Sequence, residues 1–289
     1  MDVRIDSVFG ASKHEQKVNR APASVTVLDR DDIRRFGARN YAELLRSVRG
    51  VYVSDDRNYT YLGMRGFLRP GDYNTRTLMM LDGHRINENI YDSFYLDQGS
   101  MLDLDLVKGF EVVRGPSSSV YGSNAFFGVI NLVPRLGRDV DGVEVSADGG
   151  NLGQRQARLT YGTTWDDGGD LLVSTSVSES RGNRRLYFEE FDPRISDDPR
   201  AANDGWVDDA DGERARQLYI AATQGEFKLT VFGSSRRREI PTALYDSVFN
   251  HGSEWSRDDR GYVDLRWDHV IVDDTQVRLR TYADGYRYL

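Results

Sequence analysis

The sequence predicts a small α+β domain followed by antiparallel strands of transmembrane β-barrel type, with the barrel incomplete. Three observations predict it. Up to Pro134, short apolar runs alternate with capped helical stretches and glycine turns; beyond it, apolar residues fall on every second position; and the later connections alternate between short polar turns and long loops. The chain has 289 residues, room for two ordinary domains, with 46 acidic against 38 basic side chains, a net charge of −8 and no cysteine. The acidic balance argues against nucleic acid as a partner, and the lack of thiols removes disulfides and thiolate metal sites. No run approaches the roughly 20 apolar residues of a membrane helix. Barrel strands escape that criterion, because only their alternate residues are apolar.

Residues 1–20 are polar and without period, and read as a mobile tail. The start Met1, Asp2, Val3, Arg4 has none of the apolar core of a secretion signal, so a mature or truncated form is expected. Within the tail, Asp6, Ser7, Val8, Phe9, Gly10 and Ala11 make a short, partly apolar, potentially extended segment. Val25 to Leu28 reads as a strand. Asp31 or Asp32 is expected to cap a helix ending at Gly37, and Asn40 a second helix with Leu44, Leu45 and Val48 on one face, stopped by Gly50. Val51 to Ser54, Tyr59 to Met64 and Thr77 to Leu81 follow as strands, and Asp82-Gly83 as a turn. The stretch from Glu111 to Asn131, EVVRGPSSSVYGSNAFFGVIN, reads as strand, tight helical turn and strand. Pro116 suits the first position of a short helix, and the serines behind it are expected to cap its open N–H groups.

That last stretch resembles the end of the plug domain of TonB-dependent outer-membrane receptors. Ala21 to Leu28 (APASVTVL), Leu44 to Val53 (LLRSVRGVYV), Met64 to Phe67 (MRGF) and Leu78 to Asn87 (LMMLDGHRIN) are similar to earlier plug motifs of the same family, in the same order. The resemblance implies a plug domain over 21–137 behind the tail, and the first portion of a barrel over 138–289. It implies that Asp6 to Ala11 is a TonB box, which pairs edge to edge with a strand of TonB, itself energised with ExbB and ExbD. Phe9 and Gly10 depart from the family's valine-rich pattern there. Arg65 and Arg114 would pair with barrel glutamates and lock the plug, because a buried guanidinium requires partners. Those glutamates are expected beyond Leu289, with Glu111 as a local partner. Lys108 and Gly109 replace the usual acidic and basic pair. Tyr59, Tyr61, Arg69, Tyr73, Tyr91, Phe94 and Tyr95 fall in segments that would form the outward apex, where aromatic faces suit an organic ligand.

After Pro134, Val143, Val145 and Ala147 alternate with Glu144, Ser146 and Asp148, and Ala157, Leu159 and Tyr161 with Gln156, Arg158 and Thr160. Leu171 to Val177, Leu218 with Ile220, Phe227 to Val231, Val263 to Trp267, and Val277 with Leu279 repeat the pattern, making seven candidate strands. Alternation alone also describes a soluble sheet with one wet face. Short turns at Asp166 to Gly169, Gln224 to Gly225 and Val272 to Asp274, against long loops at Arg181 to Glu213 and Ser234 to Ser256, favour the membrane barrel. Trp165, Tyr187, Trp255, Tyr262 and Tyr286 fall near strand ends, where aromatic girdles sit. A plugged barrel takes about 22 strands, so a fragment is expected.

The first long loop is acidic, an ordinary solvated face. The spacing of Asp208, Asp209 and Asp211 is also compatible with calcium, the only cofactor the sequence suggests. No paired histidines, G-x-S-x-G, P-loop or H-E-x-x-H arrangement is present, so an enzyme is not expected. The function implied by the resemblance is energised uptake of a scarce ligand, foremost an iron–siderophore, across the lipid outer membrane of a Gram-negative bacterium. The alternative is a non-transporting outer-membrane or soluble β-rich binding protein.

Overall fold

The computed structural model describes residues 7–10, 16–17, 23–69, 71–97, 99–252, 254–272 and 275–289. Asp6 and Ala11, the ends of the expected TonB box, lie outside them, as does most of the expected tail and part of the Val272 to Asp274 turn. The chain divides into two compact units, Met1–Asp55 with Tyr59–Asp139, and Asp56–Asn58 with Val140–Leu289.

The first unit begins with a two-residue ladder, β1 (Ser7–Val8) against β2 (Gln16–Lys17). Then come β3 (Ser24–Asp29), α1 (Arg30–Phe36), α2 (Tyr41–Arg46), β4 (Val51–Asp55), β5 (Thr60–Met64), β6 (Thr77–Leu81) and β7 (His84–Arg85). Last are β8 (Val107–Arg114), α3 (Ser118–Tyr121) and β9 (Gly128–Pro134). The cap of α1 is Asp29, not Asp31 or Asp32. Its Oδ1 accepts the Asp32 amide at 2.8 Å while Asp32 accepts the Asp29 amide, a reciprocal box that places Asp31 and Asp32 in the first turn. Gly37 closes this helix at φ 63°, and Asn40 caps α2 through the Glu43 amide. Leu44 and Leu45 become fully buried, each contributing roughly 1.5–3 kcal/mol of burial.

The main sheet has the order β3-β8-β9-β6-β7, with β6 parallel to β9 and the other pairs antiparallel. Its centre is apolar on both faces. Leu78, Met80, Val113, Ala125 and Val129 form one buried cluster, with Ala23, Val25, Val27 and Tyr121 packed against it. At Gly128 a Cβ would come 2.5 Å from the Val113 carbonyl oxygen and 2.6 Å from Met64 Sδ, so β8 and β9 approach over a missing side chain. The serines after Pro116 do not cap α3. Ser118 Oγ instead donates to the Ala125 carbonyl, which closes the turn from the far side.

The second unit is a seven-stranded antiparallel meander, β10 (Gly142–Gly149), β11 (Arg155–Thr164), β12 (Asp170–Ser180), β15 (Glu213–Gln224), β16 (Phe227–Glu239), β17 (Trp255–Val272) and β18 (Thr275–Tyr288). Between β12 and β15 a separate hairpin forms, β13 (Arg185–Tyr187) with β14 (Trp206–Asp208). Strand β16 runs to Glu239, beyond the expected loop start at Ser234. Residues 234–239 carry no apolar side chain, so nothing in their pattern marks a strand, yet they pair in register with β15 and β17.

Candidate functional site

In the first unit, four of the expected apex tyrosines form one aromatic cluster. Tyr59 stacks on Tyr95 at 4.5 Å between ring centroids and meets Tyr73 edge-on at 5.6 Å, and Tyr73 meets Tyr61 at 5.8 Å. Tyr59, Tyr61 and Phe94 are buried, Tyr73 and Tyr95 are half-exposed, and Arg69 and Tyr91 are exposed. The buried rings therefore found the cluster, and the half-exposed pair gives it a face.

Three polar residues that the sequence reading missed hold this region. Asn74, at φ 64°, accepts the Leu62 amide at 2.7 Å and donates to the Thr60 and Phe94 carbonyls. Asn87 accepts the Met79 amide and donates to the Thr77 and Asp92 carbonyls. Buried Glu88 gathers the amides of Ile90, Tyr91 and Ser93 and the Ser93 hydroxyl onto one carboxylate. Burial pushes its pKa up, but the Ser93 hydroxyl and those amides outweigh it and hold Glu88 below the ordinary carboxylate value. Loop 88–93 is thus rigid backbone presenting exposed Ile90 and Tyr91. No amphipathic period could have revealed it; the signal is an acidic residue amid glycine-free loop chain.

Arg65 and Gly66, at φ 54° and 86°, form the tip of a two-residue turn closed by Met64 and Phe67. Arg65 Nη2 donates to the Arg114 carbonyl at 3.1 Å, and its guanidinium lies over Gly115. Arg114 donates to the Arg49 carbonyl and to Thr26 Oγ1. Glu111 turns elsewhere than the expected local pairing. Three residues from Arg114 along a strand, it projects from the opposite face and accepts hydrogen bonds from Phe9, Gly10 and Asn131. Lys108 occupies a register shift between β8 and β9 and pairs with Asp139 at 3.0 Å.

The second unit's sheet is inverted relative to a water-soluble one. Val143, Val145, Leu159, Tyr161, Val177, Leu218, Val263 and Leu265 are exposed, while Arg158, Thr160, Ser174, Ser176, Thr230 and Asp264 are buried, with Val145 76% and Thr160 0% exposed. Ion pairs cross the strands on the buried face, Arg236 to Glu213 at 2.9 Å and Arg280 to Asp264 at 2.6 Å, and Arg238 pairs at 2.8 Å with Asp211 in the loop before β15. Arg236 and Arg238 also donate to the carbonyls of Asn58 and Arg57, and Ser256 to the Asn58 side chain. The aromatic girdle is thinner than expected. Tyr262 is buried beside Phe232, Tyr286 donates to Asp258, and Tyr187 sits in the β13–β14 hairpin; Trp165 and Trp255 remain near strand ends.

The two long loops share a core of Phe191, Val207, Ala210, Ala243 and Phe249, with Phe191 stacked on Phe249 at 4.3 Å. Two Asp-Pro-Arg tripeptides staple the first loop. Arg194 grips Asp192, and Arg200 grips Asp198, each through two guanidinium nitrogens and the arginine's own amide. The side chain of Arg200 holds Asp198 down at about 2, and that of Arg194 holds Asp192 lower still. Of the residues expected to take calcium, Asp208 pairs with Arg185, Asp209 stands at φ 49°, and buried Asp211 accepts from Asn183 and Arg238 and lies 3.6 Å from Arg57. A cation there would displace those arginines, and among the described residues no three acidic or histidine groups converge as metal ligands.

The antiparallel sheet, with apolar residues exposed on one face and polar residues buried on the other, has the patterning of a transmembrane β-barrel. Residues 17–129 match the family described as TonB-dependent Receptor Plug Domain. Vitamin B12 transporter BtuB of Vibrio vulnificus is 28% identical over 180 residues, 61% of this chain and 28% of that protein. The iron-regulated outer membrane virulence protein of Vibrio cholerae is 34% identical over 132 residues, 44% of this chain and 20% of that protein. The chain thus spans about 28% of the length of the first of these relatives. Among solved structures, the ferric yersiniabactin uptake receptor FyuA of Yersinia pestis superposes with a TM-score of 0.64 at 17% identity, covering 92% of this chain and 41% of that one. The siderophore receptor PiuA of Acinetobacter baumannii gives 0.67 at 13%, covering 99% and 39%. Residues 17–129 thus match a TonB-dependent receptor plug domain, and the fold of the chain, plug domain followed by antiparallel barrel strands, is shared with the solved receptors FyuA and PiuA.

Proposed function

We propose that the complete protein imports a scarce ligand, foremost an iron–siderophore complex, with energy delivered through TonB and its partners ExbB and ExbD. The observation that carries the reading is the inverted sheet behind a plug domain, an apolar belt for lipid on one face and charged pairs on the other. The tyrosine cluster and loop 88–93 supply the ligand floor, since rigid aromatic faces with few polar groups suit an organic chelate. Asp6 to Ala11 supplies the coupling segment. Arg65 and Arg114, already fixed on plug carbonyls, are assigned to glutamates of strands that the complete receptor adds. A second reading, cobalamin as cargo, draws on the similarity to the Vibrio vitamin B12 transporters. Growth under iron limitation with and without the intact gene, followed by uptake of labelled ferric siderophores and labelled cobalamin, separates the two. Uptake of neither, with normal growth, would end both in favour of a non-transporting binding protein.

A further inference from the structure

At one end of the second unit's sheet, the register between strands lines up a transverse row of charged side chains on the exposed face. Arg155 stands opposite Glu179, Glu179 opposite Arg214, Arg214 opposite Arg237, and Arg237 opposite Arg257. Strand alternation puts Glu179 on the face of exposed Val177, and Arg214 on that of exposed Leu218, so the row borders the apolar belt. Arg216 joins it from the next row. The long connections 181–212 and 240–254 leave the sheet at this end, which marks the outer side of a membrane barrel. Like charges directly opposite one another destabilise a sheet, and here Arg237 faces an arginine on either side. Local carboxylates answer only the outer two of these three, Glu179 lying 3.3 Å from Arg214 and Asp259 lying 2.8 Å from Arg257. Arg237 lies over the Trp255 ring at 4.5 Å, an attraction that fills none of its N–H donors. A recess of about 320 Å³ opens beside Arg214 and Arg237 and is lined also by Arg181. Three of its four carboxylates are already engaged, Glu179 by Arg214, Glu213 by Arg236 and Arg238, and Glu239 by the Gly212 amide; Asp209 is the fourth.

We infer that Arg214, Arg237 and Arg257 form a binding site for a phosphate-bearing lipid headgroup of the outer leaflet, with the lipid's chains lying along the exposed apolar residues below. Charge complementarity carries the assignment. Guanidinium groups match phosphate oxygens through two parallel hydrogen bonds, and an anion set among the three arginines offsets the repulsion that their register imposes. The apolar belt continues directly from the row through Val177 and Leu218, so one molecule with an anionic head and apolar chains satisfies both. The inference rests on the reading of this sheet as part of a membrane barrel.

Native mass spectrometry of the full-length receptor, released from detergent micelles doped with bisphosphorylated lipid A, tests the site, with heat-modifiable gel mobility confirming that each variant is folded. Arg214→Gln combined with Arg237→Gln is expected to weaken lipid A binding by about tenfold or more, each arginine beside an anionic lipid surface being worth several-fold. Glu179→Gln removes the carboxylate that competes with phosphate for Arg214 and is expected to strengthen binding. Arg184→Gln combined with Arg185→Gln takes the same charge from the first long loop and is expected to leave binding unchanged. Unchanged binding in the Arg214 and Arg237 variant, weaker binding in the Glu179 variant, or equal loss in the loop variant overturns the site. Equal binding of dephosphorylated lipid A overturns phosphate as the recognised group, and inorganic phosphate bound as tightly as lipid A overturns the lipid as its source. Recovery of the folded wild type in the soluble fraction without detergent overturns the membrane reading instead.

Discussion

Arg236 Nε lies 2.9 Å from Glu213 Oε1 on a face where Arg236 is 1% exposed, and Asp258 approaches the same guanidinium at 3.5 Å. Buried ion pairs of this kind are costly to break and nearly neutral to replace whole, because the penalty lies in leaving one charge without its partner.

Arg236→Met is therefore expected to destabilise the protein by about 3–5 kcal/mol, since it takes the shared cationic partner from Glu213 and Asp258 and frees the Asn58 carbonyl. Adding Glu213→Gln and Asp258→Asn should restore much of the loss. Urea unfolding of single and combined variants checks this, and additive losses would refute it.

The two faces of β10 should respond oppositely to charge. Val145→Arg places a guanidinium on the exposed apolar face and is expected to cost roughly 2–4 kcal/mol if that face meets lipid. Ser146→Arg, on the other face, should be tolerated better. The folded fraction recovered in outer membranes, read by heat-modifiable gel mobility, distinguishes them; equal tolerance would speak for a water-soluble sheet.

Asn74→Ala removes three hydrogen bonds that tie β5 to the segment carrying Phe94. Buried groups left without partners cost about 1–3 kcal/mol each. The Tyr59–Tyr95 stack should loosen, seen as loss of near-ultraviolet circular dichroism, and ligand affinity should fall with it. An unaltered aromatic spectrum would show that Asn74 does not organise the cluster.

Glu88 gives loop 88–93 a pH dependence of defined sign. Its pKa is lowered in the folded protein, so its contribution is complete above the ordinary carboxylate value and is lost as pH falls through the folded value. Hydrogen exchange at Ile90, Tyr91 and Ser93 should be insensitive to pH between 7 and about 5, after correction for intrinsic rates, and should rise only below the ordinary carboxylate range. Glu88→Gln should bring the fast exchange to neutral pH.

The apolar face of α2 and its Asn40 cap were legible because helix period and capping chemistry are local. So were the seven strands of the meander, each a period-two pattern. The polar groups that fix the site were not. Asp29, Asp31 and Asp32 are chemically equivalent as caps, and only the backbone at Asp29 decides among them. Glu111 and Arg114 look like neighbours in sequence, yet strand alternation turns them apart. Glu88, Asn74 and Asn87 bond to main chain, which carries no sequence signature, so their partners appear only with the fold. The tyrosines were found by composition, but which are foundation and which are face depends on burial.

Because one carboxylate organises the loop that carries Ile90 and Tyr91, its shape is indifferent to what those two positions bear. Substitution there can change the surface that the loop presents while the framework beneath stays still, so surface chemistry and foldability are placed under separate mutational control.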